Sequence, residues 1–358
     1  MLVFLLIATF ALGIILGSLM NVCIYRLPME KSILWPSSRC GKCLQPIHWY
    51  DNIPLLSYLL LRGRCRTCGV RYSPRYFLIE LLTGMAFASL FYYVVVDNIH
   101  DYAALRGERA RINQLFLPSW QAWVVFGHHA VLVTFLLVAS FCDLDWREIP
   151  LSVTIPGTVL GLISAVCWAW PWPESPANAV LMPAGQAWWA LPPNQFPVQG
   201  LYPWPFWGPL PAWFAPGGNW QTGLVTGLGG ALVGTLMLRA VRFVFGLGMG
   251  VEALGLGDAD LMMMAGSFLG WQPVVVAFFL GVFAGLFFGI AQMVLGGDNL
   301  MPFGPSLAAG IMAAYLGWRW IGPHFMPLFF HGTLLLVLLI ASGLLMLILS
   351  YVLRLLRH

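Results

Sequence analysis

The stretch Leu2–Val22, LVFLLIATFALGIILGSLMNV, carries no charged side chain. An α-helix rises about 1.5 Å per residue, so a run of this length crosses the roughly 30 Å hydrocarbon core of a bilayer. It has no basic segment ahead of it, and its first charge, Arg26, follows it. A secretory signal has the reverse order. We read this run as an uncleaved first transmembrane helix with its N-terminus outside. Eight further apolar spans follow, near Tyr76–Val96, Ala122–Cys142, Leu151–Trp170, Gln221–Leu238, Ala259–Trp271, Val274–Leu295, Pro305–Ile321 and Leu328–Leu353. The sixth span, near Ala259–Trp271, is the shortest. The runs do not alternate polar with apolar, which excludes the strands of a transmembrane barrel. The expected fold is therefore an all-α polytopic membrane protein of about nine transmembrane helices.

Composition agrees. Of 358 residues, 59% are hydrophobic and only 9% charged. A soluble domain carries about a quarter charged residues, and this chain has too little polar surface to coat a globule of its size. A soluble enzyme, a disordered chain and a nucleic-acid binder are excluded on these grounds.

The charges are placed unevenly. Nine of the 18 Lys and Arg fall between Arg26 and Arg75, where the only acids are Glu30 and Asp51. A basic block between two apolar spans is a positive-inside signal, which puts residues 25–75 in the cytoplasm; the same charges can also meet lipid headgroups. Alternation then places Arg239, Arg242, Arg354 and Arg357 inside. The connection 171–220 falls outside, contains no Lys or Arg, and is rich in Pro and Trp, as in Trp170-Pro171-Trp172-Pro173. Proline disfavours helix, so this is an irregular exterior loop whose tryptophans suit the membrane interface. Residues 97–121 also fall outside, with three Arg matched by three acids.

The cytoplasmic block contains Cys40-Gly41-Lys42-Cys43 and Cys65-Arg66-Thr67-Cys68, separated by 21 residues. Two such pairs can set four sulfurs at the corners of a tetrahedron, and four thiolates suit zinc. A cytoplasmic location argues against stable disulfides. A four-thiolate site has no open coordination position, so Cys40, Cys43, Cys65 and Cys68 are expected to hold a structural zinc that folds the loop. Cys23, Cys142 and Cys167 read as small buried apolar residues. His128-His129 stands near a helix start and reads as interfacial.

Carboxylates at the edge of a bilayer are costly and call for a reason. Two clusters stand out: Asp143-Leu144-Asp145-Trp146-Arg147-Glu148-Ile149-Pro150, and Gly255-Leu256-Gly257-Asp258-Ala259-Asp260. Both fall at cytoplasmic helix ends in the assigned topology, so they can meet in one pocket. Two close carboxyls cannot both ionise cheaply, and a pair sharing one proton is the chemistry of an aspartic protease. Glycines at 255 and 257 let backbone and substrate approach Asp258. Spacing alone leaves open which acid of each cluster acts. It also leaves open a proton or cation carrier using the same carboxylates, and ordinary interfacial charges. Glu80 and Arg319 read as structural pairing or snorkelling side chains.

The chain resembles the prepilin peptidases, the membrane leader peptidases of type IV pilins and type II secretion pseudopilins. The resemblance rests on motifs in order over about residues 13–310: Gly17-Ser18-Leu19-Met20-Asn21-Val22-Cys23-Ile24-Tyr25-Arg26-Leu27-Pro28, Ser38-Arg39-Cys40, Trp49-Tyr50-Asp51-Asn52-Ile53-Pro54, Arg62-Gly63-Arg64-Cys65, Ser73-Pro74-Arg75-Tyr76, Glu80-Leu81-Leu82-Thr83-Gly84, residues 143–150, 255–258 and 266–272, and Pro302-Phe303-Gly304-Pro305. It implies an aspartic endopeptidase of the bacterial inner membrane that cleaves a basic leader at the cytoplasmic face. By motif position the catalytic pair is Asp143 and Asp258; Asp145 and Asp260 are the near alternatives. The resemblance also implies methylation of the new N-terminal amine with S-adenosylmethionine, an activity associated with the cytoplasmic loop. The expected organisation is a first helix (1–24), a zinc module (25–75), a peptidase core (76–325) containing the exterior loop, and an additional C-terminal helix (326–358). Four features depart from the family pattern. Asp260 stands where Lys is usual, an inverted charge expected to act on the pocket, and Leu151 stands where Asp is frequent. The exterior loop is long, and the last span is an addition to the usual eight.

Overall fold

The computed structural model describes residues 1–115, 117–168, 220–250, 255–295, 302–330 and 332–356. The Pro/Trp-rich stretch expected to form an exterior loop lies outside the described residues. Every described element of length is helical: α1 (Leu2–Arg26), α2 (Leu56–Leu60), α3 (Pro74–Leu90), α4 (Glu108–Leu115), α5 (Trp120–Trp146), α6 (Leu151–Cys167), α7 (Trp220–Met249), α8 (Leu256–Leu269), α9 (Trp271–Val294), α10 (Gly304–Phe330) and α11 (Gly332–Leu356). Each of the nine expected spans coincides with one of these helices. By length and composition six qualify to cross a membrane, α3 doing so together with a wider turn at Phe91–Val96. Helix α6 is shorter, at 17 residues, and α8 has 14.

Without a hydrophobic drive between them in lipid, helices associate through close packing, which small residues permit. That is how this bundle is joined. A side chain at Gly13 or Gly17 of α1 would strike the backbone of α3 at Thr83 or Glu80. Gly230 and Gly234 of α7 lie against the carbonyls of Gly266 and Met262 on α8, and Gly281 of α9 meets Gly310 of α10 at similar range. Helix α8 is the centre of the core, with Leu261, Met262, Met264 and Phe268 fully enclosed. Helix α9 shows Phe279, Phe283 and Phe287 outward, and α11 is apolar and almost entirely exposed, as a lipid-facing outer helix should be.

Helix ends collect in two groups, as alternation requires. At one end, Asn21 of α1 bonds the Tyr76 carbonyl of α3 (3.1 Å), and Trp146 of α5 bonds the Ile24 carbonyl (3.2 Å). Arg75 of α3 pairs with Asp145, Gly304 of α10 meets Asp143, and Gly257 of α8 touches Ile149. At the other end, Arg319 of α10 reaches Asp101 and the Ile99 carbonyl, and Trp168 stacks edge-on against Tyr102. Arg319 is thus a structural ion-pair member. Glu80 is structural too, accepting the Leu55 N–H at 2.8 Å.

Three expectations are corrected here. His128 and His129 are not interfacial; both are buried. His128 Nδ1 lies 2.9 Å from Ser164 Oγ, and the His129 ring packs 4.3 Å from that of Tyr315. Their helix starts at Trp120, two residues before the expected span, and His128 lies eight residues further on, so they sit two turns inside it. Cys167 is exposed at the end of α6 and Cys23 is half-buried, so only Cys142 of those three is a core residue. Residues 108–115, within the connection 97–121 expected to be a loop between spans, form a helix whose Glu108 is buried, accepting the Ser119 amide at 2.6 Å.

Candidate active site and metal centre

Helix α5 ends at Trp146 because Arg147 takes a left-handed conformation (φ 56°), its amide returning to the Asp143 carbonyl at 2.9 Å. Pro150 then starts α6. This sharp reversal points Ile149 back into the bundle, where it is buried between two approaching helix starts. A Cβ at Gly257, in the first turn of α8, would lie 3.0 Å from Ile149 Cβ; one at Gly304, the first residue of α10, would lie 3.1 Å from Ile149 Cδ1. Asp143 and Asp258 therefore lie on either side of one isoleucine.

Their partners differ from those of the neighbouring acids. Asp143 is 7% exposed, and its Oδ2 accepts the Gly304 N–H at 2.7 Å. Asp258 is half-buried. Its carboxylate turns toward Gly255, where a Cβ would be 3.4 Å from Oδ2. Among the described residues neither is in an ion pair. By contrast, Asp145 pairs with Arg75, and Asp260 with Arg239 of α7 at 3.2 Å. The two alternatives that spacing leaves open are thus neutralised by arginines, and the two that motif position selects are not. The inverted charge at Asp260 is likewise corrected: Arg239 answers it from the adjacent helix.

The four cysteines converge. Sγ atoms of Cys40, Cys43, Cys65 and Cys68 all lie within 4.8 Å of one another, and Cys40 and Cys68 are 3.7 Å apart. Metal–sulfur bonds of about 2.3 Å in a tetrahedron place sulfurs at about this separation, so the residues fit a metal ion. The two knuckles share one backbone pattern. The Cys40 amide bonds the Gln45 carbonyl and the Leu44 amide bonds Cys40; the Cys65 amide bonds Val70 and the Gly69 amide bonds Cys65. Amides turned inward also stabilise thiolate. The Cys65 thiol is pulled down to about 6, first by the Cys68 amide, with the Tyr72 hydroxyl and the Thr67 amide adding to it. Arg66 of the second knuckle grips Asp51 with two nitrogens at 2.6–3.0 Å, tying the intervening segment to the cysteine cluster.

The chain resembles known proteins along most of its length. The bacterial peptidase A24 N-terminal domain matches residues 11–94, and the type IV leader peptidase family matches residues 206–290. The prepilin leader peptidase/N-methyltransferase of Klebsiella pneumoniae is 30% identical over 271 residues, covering 74% of this chain and 85% of its own. The chain belongs to the type IV leader peptidase family. The protein of the same name from Myxococcus xanthus is 32% identical over 288 residues, 80% of this chain; the match spans 63% of that longer relative. The one from Pseudomonas putida is 28% identical over 333 residues, covering 86% and 88% of the two chains. No solved structure matches the chain. Within this leader peptidase, Asp258 falls inside the second matched range and Asp143 between the two.

Sequence reasoning named the carboxylates and thiols of these sites but not their supports. The Gly304 amide was inside a quoted motif, yet nothing in Pro302-Phe303-Gly304-Pro305 shows that it meets a residue 161 positions away. In the sequence Arg239 reads as a topology signal, and Arg75 as a topology signal and a motif member; neither reads as the partner of an aspartate.

The paired knuckles make a testable contrast. Position 69, at φ 69°, is glycine; its counterpart, Leu44, holds φ 57° with a side chain that disfavours it. A non-glycine residue there costs about 1 kcal/mol. Leu44→Gly should leave metal affinity intact or tighten it, while Gly69→Leu should weaken it up to about tenfold. Competition with a zinc chromophore measures both; equal effects would refute the asymmetry.

Proposed function

We propose that this leader peptidase removes the leader from type IV prepilins or type II secretion pseudopilins, at the cytoplasmic face of the bacterial inner membrane, with Asp143 and Asp258 as its catalytic pair. The observation that carries this is the meeting of these two arginine-free carboxyls across Ile149, in a member of this family. The Gly304 N–H, at the positive end of α10, supplies a counter-dipole for a charged Asp143. Close carboxyls share one proton, so Asp258 carries it. Asp143 takes a proton from a water, whose oxygen bonds to the scissile carbonyl carbon, while Asp258 gives its proton to the carbonyl oxygen. Collapse of the tetrahedral intermediate returns that proton to Asp258 and breaks the C–N bond. The amine leaves with the proton held by Asp143.

Zinc fits the four thiolates of residues 25–75 and would supply a structural cross-link, not a reacting centre. Residues 76–325 form the peptidase core in this reading, with 1–24 and 326–358 as flanking helices. The names of the relatives support a second activity, methylation of the new N-terminal amine with S-adenosylmethionine. Incubation of the purified protein with a prepilin peptide and S-adenosylmethionine, followed by mass spectrometry, reads both activities separately. An uncut peptide would refute the first; a cut peptide without added methyl mass, the second.

Gly304 offers a finer test. A Cβ there would stand 2.7 Å from Asp143 Oδ2 and push the carboxyl aside. A displacement of this size costs about 10²-fold in rate. Gly304→Ala should lower kcat by that order with KM little changed; full activity would remove the amide from the mechanism.

A further inference from the structure

The segment Leu55–Leu61, LLSYLLL, lies in the polar module but does not resemble it. It carries no charge, and in α2 the side chains of Leu56, Leu59 and Leu60 are 49%, 61% and 73% exposed. Three adjacent leucines open to water would be costly at about 25 cal/mol per Å² of apolar surface. The position of the segment resolves this. The Leu55 amide is bonded to Glu80, six residues along α3 from its start at Pro74, or about 9 Å inside that helix. Glu80 in turn lies against Gly17 of α1, nine residues before the end of that helix. The Tyr58 ring packs on Phe77, 5.4 Å away, one turn nearer the start of α3. The segment therefore sits alongside the membrane-crossing parts of α1 and α3, not above them.

We propose that Leu55–Leu61 is inserted into the acyl region of the leaflet on the side of the aspartate pair, with lipid covering Leu56, Leu59 and Leu60. Backbone entering hydrocarbon must satisfy its own polar groups, and most amides of this segment are satisfied within it. The Ile53 amide bonds Ser57 Oγ, which donates to the Tyr50 carbonyl. The amides of Leu56, Ser57, Leu59 and Leu61 bond carbonyls two to four residues back. The buried Glu80 carboxyl takes the Leu55 amide, which has no helical partner. Charges resume on emergence: Arg62 and Arg64 follow directly, at the height of the headgroups, and Asp51 before the segment is already neutralised by Arg66. A net-basic surround is complementary to anionic lipid. It is not complementary to a basic leader, so the substrate is the poorer occupant.

The proposal needs the membrane reading of the fold but not the peptidase reading, and its test has no activity readout. Photoreactive p-benzoylphenylalanine replaces Leu60 or, as a control, Lys42 in the full chain. The protein is placed in nanodiscs of phosphatidylethanolamine and phosphatidylglycerol, irradiated, and analysed by mass spectrometry. The expected result is phospholipid acyl adducts at position 60 and none at 42. Absence of lipid adducts at 60, or cross-links there to a second copy of the chain, would overturn the insertion. So would lipid adducts lost in favour of a peptide cross-link when prepilin peptide is added. Both replacements leave every hydrogen bond described above in place.

Discussion

Asp143→Ala and Asp258→Ala should each abolish leader removal, by on the order of 10⁴-fold or more, because a shared-proton pair acts as a unit. Asp145→Asn and Asp260→Asn should each stay within about tenfold of the parent rate, since partly exposed ion pairs contribute about 1 kcal/mol or less. The prediction rests on partnership, not motif position: Asp145 and Asp260 are occupied by Arg75 and Arg239, and Asp143 and Asp258 are not. A prepilin peptide assay in detergent or nanodiscs measures all four variants. A near-parental rate for either alanine variant removes the dyad. Equal inactivation by Asp145→Asn would show that the arginine pairing does not select the reacting acids.

The second large effect concerns the metal. The module of residues 25–75 is polar and has little core of its own, whereas a structural zinc contributes about 10–16 kcal/mol of apparent binding free energy in small domains. Purified protein should contain about one zinc per chain, and Cys40→Ser or Cys65→Ser should lose it. The nine basic residues of the module make trypsin a direct probe. In the serine variants, and after chelation, cleavage should become rapid there while the helices in lipid stay intact. Four reactive thiols and no metal in the parent protein would overturn the assignment.

Much of the architecture could be read from the chain, and the reason is physical. Lipid demands long uninterrupted apolar helices, so composition alone locates them. The convergence of the four cysteines was equally legible, since two short Cys pairs fix their own local geometry. What escaped were features set by one helix lying against another. His128 and His129 look interfacial until Ser164 and Tyr315 are placed beside them. Asp260 looks like a perturbing charge until Arg239, 21 residues earlier, turns onto it from α7. The choice of Asp143 over Asp145 rests on the family resemblance; the contacts that distinguish the two acids, an amide from α10 and an arginine from α3, are tertiary, and no local pattern encodes them.

The donor to Asp143 is the opening residue of α10, a rod that rests glycine to glycine on α9 and, through it, on the surrounding lipid. Anything that tips this rod stretches the bond that aligns the carboxylate. Fatty-acid chains too short for the protein would impose such a tilt, so turnover should fall as the acyl chains are shortened below the matching length, a series of defined-chain vesicles being enough to see whether it does.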